Sequence, residues 1–216
     1  MPEVPECARA DEMTVNRIDE MDEACLKELR LGQDLRFVLV CLGGGAARVG
    51  RNILARKVRY LESVVINCDP RVQELEEYDR RVCLGATLGR GAETGGSSSI
   101  GAQLARAAEP ALERVFEGAT FVTVVASLGG GTGTGALPFV LEAAVRQSAV
   151  LSVFAIRPFK CEGERRAIAD RALARLNFVD AWVDKLHHRL ATLTVLDNER
   201  LTEEASRTPM SRFNLH

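Results

Sequence analysis

The chain has 216 residues and a formal charge of −2, so it lacks the excess positive charge that non-specific nucleic-acid binding needs, and it can bury about 70% of its unfolded surface in one large or two small domains. No run approaches the ~20 apolar residues of a membrane span, and acids stand where a secretory signal needs an apolar stretch, so the expected location is the cytoplasm. Six scattered cysteines without a CxxC pair suit free thiols in a reducing compartment, not a disulfide or zinc framework.

Residues 1–34 differ from the rest: acids outnumber bases ten to four, and Pro2 and Pro5 lie near the start. Ile18, Met21, Cys25 and Leu29 recur at helical spacing, which suits a short amphipathic helix in a solvated acidic extension. From residue 35 a strand–helix alternation begins. Leu35–Cys41 is a predicted strand ending in Gly43-Gly44-Gly45, and 46–60 a helix. Ser63–Asp69 is a second strand, followed by a short helix over 72–78 and a brief strand over 81–84. A loop rich in Gly, Ser and Thr fills 85–99, and Ile100, Leu104, Ala108, Leu112 and Val115 then mark one face of a long helix that Pro110 should kink. Phe121–Ser127 is a strand, 137–145 a helix, Val150–Ile156 a strand, 164–189 a helix and 192–196 the last strand. Strands that are apolar on both faces and alternate with helices predict an α/β fold, a Rossmann-like three-layer parallel sheet with helices on both faces.

Between the strand at 121–127 and the helix after it stand Gly129, Gly130, Gly131, Thr132, Gly133, Thr134 and Gly135. Glycine lets a ligand approach the backbone closely, the threonines add hydroxyls, and a helix N-terminus adds about half a positive charge. The combination is suited to a phosphate, although no Lys follows the last glycine as a P-loop requires. Because ligands of parallel sheets bind beyond the carboxyl ends of the strands, the glycine-rich loops are expected to build one composite nucleotide site. A dinucleotide-type reading would use Gly43–Gly45 with Gly50, and Asp69 about 20 residues on, but its spacing fits imperfectly and leaves 129–135 unexplained.

Gly129–Gly135 resembles the tubulin signature GGGTG(S/T)G without a mismatch, and from 35 to 212 the chain resembles the nucleotide-binding domain of FtsZ, a tubulin relative. The resemblance implies GTP or GDP as ligand, with magnesium. Gly43, Gly44 and Gly45 would contact the α- and β-phosphates, although Ala46 and Ala47 stand where the family has a glycine and an asparagine. Ile66-Asn67-Cys68-Asp69 resembles the family's INTD, so Asn67 and Asp69 carry over, Asp69 ordering a magnesium-bound water. Gly95 and Gly96, in the stretch from Arg90 to Ser97, fall in the loop that senses the γ-phosphate, with Glu93 and Ser97 as departures. Arg157–Arg166 resembles KPFxFEGxxR, which implies that Glu162 bonds the ribose and Arg166 faces the phosphates; read alone, the two are a solvated pair. Asn198 matches the asparagine of IPNDKL, a sugar or base contact. His187, His188 and Trp182 read as structural or surface residues.

The family's central helix, with its guanine contact, and the acidic loop that activates water lie beyond the matched stretch. The resemblance therefore implies two expected domains, the acidic extension 1–34 and a GTP-binding domain over 35–216 that stops short of the central helix and activation domain. Hydrolysis would need an acidic loop from a full-length FtsZ-like partner. The alternative is a non-hydrolysing module that caps or regulates such filaments. No catalytic or metal-ligating residue is assigned.

Overall fold

A computed structural model describes residues 35–58, 60–88, 94–177 and 190–207. By its contacts the chain divides after Leu35, and the sheet belongs wholly to the second unit. In chain order the described residues form β1 (Phe37–Leu42), α1 (Gly44–Leu54), β2 (Leu61–Asn67), β3 (Arg80–Cys83), α2 (Ser98–Ala107), α3 (Glu109–Phe116), β4 (Phe121–Ser127), α4 (Gly131–Arg146), β5 (Val150–Arg157), α5 (Gly163–Asn177), β6 (Leu190–Asp197) and α6 (Asn198–Arg207). Short 3-10 turns cover Pro70–Glu74, Leu84–Leu88 and Lys160–Glu162.

The strands form one parallel sheet in the order β3-β2-β1-β4-β5-β6, which reverses direction between β1 and β4. Val38 to Leu42 are all buried, as expected for a strand covered on both faces. On one face Val40, Leu42, Ile66, Val124 and Val153 pack against Leu112, Leu137 and Leu141 of the helices. On the other, Leu39, Cys41 and Val65 meet Ala46 and Ala47 of α1 together with Tyr78, whose hydroxyl donates to the Ala47 carbonyl at 2.6 Å. Each fully buried Leu or Ile contributes about 1.5–3 kcal/mol relative to exposure. Burial also pushes the Cys41 thiol up to about 11, so it packs as a small apolar group.

Several expectations change: α1 ends at Leu54 and not near residue 60, and α4 begins at Gly131 and not at 137, so the second half of the glycine loop is already helix. The long helix over 100–115 is two helices parted at Ala108, and Pro110 sits in the first turn of α3, where its missing N–H has no intrahelical partner to lose. The expected short helix over 72–78 is a 3-10 turn opened by Asp69 and Pro70. The helical spacing expected within 1–34, the end of the helix expected over 164–189, and Arg90, Glu93, Trp182, His187 and His188 lie outside the described residues. No helix among the described residues is long and apolar enough to cross a membrane.

Candidate functional site

Register brings the two glycine loops together. Leu42 stands level with Ala126, so Gly43 and Ser127 leave adjacent strands side by side. Gly43 has φ +87, a region closed to most side chains, and a Cβ on it would lie 3.0 Å from the Ser127 hydroxyl. A Cβ on Gly45 would lie 2.8 Å from Ser127 Cβ. These glycines let the β1–α1 and β4–α4 turns lie against each other at the point where the strand order reverses, the place where open α/β sheets bind ligands.

A cleft of about 690 Å³ opens there. Gly43–Gly45, Gly130, Gly131, Thr132 and Gly133 form one wall, Thr94 and Gly96 approach from the β3–α2 connection, and Glu162 and Asn198 close the far end beyond β5 and β6. Adjacent strands are ~4.8 Å apart, so β1 to β6 spans three spacings, about 14 Å, the length of an extended nucleoside polyphosphate.

The helix starts give this wall its charge. α1 begins after Gly43 and α4 after Gly130; neither has a side-chain cap nor an acid in its first turn. Every other helix start among the described residues carries one or the other: Ser97 caps α2, and Glu109, Glu164 and Glu199 stand in the first turns of α3, α5 and α6. The leading N–H groups of α1 and α4 are thus left for an anion, with two helix dipoles aimed at it.

Other sequence-predicted residues shape the cleft from behind. Asn67 Oδ1 accepts from the Thr132 hydroxyl at 3.0 Å and from the Cys68 N–H at 2.9 Å, fixing β2 to the first turn of α4. Thr134 Oγ1 accepts from the Gly129 N–H at 2.9 Å, and Gly129 has φ +83. A Cβ on Gly129 would lie 2.6 Å from the Arg165 carbonyl, and one on Gly135 would strike the Ser98 carbonyl and the Ala102 N–H. Both therefore serve close packing. Gly95, with φ +54, turns the connection but does not line the cleft.

Two charged residues that the resemblance assigns to the ligand make partners within the protein. Asp69 does not line the cleft; it caps the 3-10 turn and pairs with Arg71 at 2.6 Å, which holds its carboxyl below the usual range. Arg166 does not line it either: its guanidinium donates to the Pro158 carbonyl at 2.6 Å and to Asp197 at 2.8 Å. Asp197, which also accepts from Arg157 at 3.0 Å and from the Glu199 N–H at 3.0 Å, is held down to about 2 chiefly by Arg166. Glu162 reaches the cleft while its Oε1 accepts from the Phe159 N–H at 3.1 Å. Sequence reasoning missed Arg48 and Arg165, both on the cleft wall, since neither lies in a glycine motif or at a matched charged position.

Fold and cleft define a doubly wound parallel α/β domain with a glycine-lined cleft, open to two uncapped helix starts, at its switch point. A profile of the Tubulin/FtsZ family, GTPase domain, matches residues 52–206, and the chain belongs to that family. It is similar to cell division protein FtsZ 2 of Methanocaldococcus jannaschii, 32% identical over 178 residues that cover 82% of this chain and 44% of that protein. It is also similar to cell division protein FtsZ 1 of Archaeoglobus fulgidus, 30% identical over 211 residues, 94% of this chain and 54% of that one. The empty FtsZ dimer of M. jannaschii superposes with a TM-score of 0.71 at 25% identity, covering 89% of this chain and 53% of that one. The chain thus spans about half the length of these relatives.

Proposed function

We propose that the cleft holds GTP or GDP, with the phosphates on the starts of α1 and α4 and the sugar toward Glu162 and Asn198. The carrying observation is the pair of uncapped, acid-free helix starts that meet across Ser127. The base preference follows from the family. In this reading residues 35–216 are the nucleotide-holding half of an FtsZ-like subunit, and residues 1–34 an appended extension. Magnesium would be carried by phosphate oxygens and water, because Asp69 would have to release Arg71 to reach it. Beyond the cation that neutralises developing charge, phosphoryl transfer needs a positioned water. The carboxylate lining the cleft, Glu162, stands at the sugar end and is bonded to its own loop. An acidic loop from a neighbouring FtsZ-like subunit would therefore supply water activation.

Calorimetric titration of the chain with GTP, GDP and ATP, run beside a phosphate-release assay, tests this. Micromolar binding of the guanine nucleotides over ATP, with release only after a full-length FtsZ-like protein is added, is the expected result. No binding of any of the three overturns it.

A further inference from the structure

Ala46 and Ala47 occupy the positions where the resemblance places a glycine and an asparagine, yet both side chains face the core beneath α1, at 0% and 7% exposure. The next residue, Arg48, turns outward and lines the cleft with Gly43–Gly45. It stands one turn into α1, and helical side chains lean toward the N-terminus, so its guanidinium is directed back over the uncapped start at Gly44. Among the described residues Arg48 has no hydrogen-bond or ion-pair partner. Arg165, the other arginine on the cleft wall, is drawn toward Glu162 at 3.4 Å, and Arg166 is held by Asp197.

We infer that Arg48 is the phosphate-side cation of this cleft, a specificity-determining residue that makes affinity depend on the number of phosphates on the nucleotide. The inference rests on the guanine-nucleotide reading above. Guanidinium is always charged, and its planar fork matches two oxygens of a phosphate, so it acts as a fixed counter-charge that a neutral side chain does not replace. Its lever is greatest on a triphosphate and smallest on a monophosphate, whose single phosphate the helix-start N–H groups already satisfy.

The test is calorimetric titration of the full chain and of its R48Q and R48K variants with GTP, GDP and GMP at one fixed salt and magnesium concentration. Melting curves of the variants report folding; Arg48 is exposed, so they are expected to melt as the wild type does. R48Q should weaken GTP binding about tenfold or more, the worth of one charge-assisted contact, and GMP binding far less, so that the GTP-to-GMP affinity ratio collapses. R48K should recover part of that ratio, since it keeps the charge and loses the fork. R48Q binding GTP like the wild type, or losing the same factor for all three nucleotides, would overturn the inference while leaving guanine-nucleotide binding intact. A wild-type chain that binds none of the three overturns the nucleotide reading itself, and this inference with it.

Discussion

The glycines of the 129–135 loop are not equivalent. Gly130 has open space around its missing Cβ and faces the cleft, whereas Gly135 lies off the cleft and a Cβ on it would run into the Ser98 carbonyl and the Ala102 N–H of α2. The two positions therefore separate binding from folding. Gly130→Ala should cost less than about 1 kcal/mol of stability, since alanine is only a poorer N-cap, while its methyl projects to where a phosphate would approach. Gly135→Ala should cost about 1–3 kcal/mol through overpacking and lower the melting temperature. Denaturant melts and GTP titrations of both variants check this; equal stability losses would remove the distinction between cleft and packing glycines.

The ends of β5 and β6 and the start of α5 are joined through one carboxylate. Asp197 accepts from Arg157 and Arg166 and caps α6, so the turn carrying Asn198 is fixed by charge as well as by the sheet. Its carboxyl titrates near 2 in the fold against an ordinary 3.8. A depressed folded value means that the stabilisation is fully present above about pH 4 and is lost as pH falls through that window toward about 2. The contribution is of order 1 kcal/mol after solvent screening. Asp197→Asn should lower stability at pH 7 by about that amount and flatten the loss between pH 4 and 2, measured by urea unfolding at a series of pH values. An unchanged slope would show that this carboxylate does not set the acid limb.

Across the whole molecule, the cleft joins loops that follow five strands, β1, β3, β4, β5 and β6, and a ligand there ties both halves of the sheet together. Binding to the folded state alone should raise its stability by about 2.7 kcal/mol at a hundredfold excess over Kd. For a chain of this length that is a rise of roughly 5–10 °C in melting temperature. Differential scanning fluorimetry with GTP or GDP should show the shift, and with ATP should not. A shift with ATP as large as that with GTP would mean that the cleft reads phosphates and not the base.

The order and type of the main elements were legible in the sequence, because a buried parallel strand is a short continuous apolar run and a glycine-rich turn interrupts it visibly. β4 lies over the residues expected, and β5 is longer by one. The clustering of Gly43–Gly45 with Gly130–Gly133 was legible too, since all follow strands of one parallel sheet. The direction of individual side chains was not. Whether Arg48, Arg165 or Arg166 faces the cleft depends on the turn phase of α1 and α5 and on whether an acid claims the guanidinium, as Asp197 claims Arg166 from 31 residues away. The division of the 98–116 stretch at Ala108 was equally hidden, because an apolar stripe continues across a break that the proline tolerates in a first turn. Local pattern determined the elements and where the glycines fall; only non-local pairing decided which charges the cleft keeps, since a side chain's partner is fixed by residues its sequence neighbourhood does not contain.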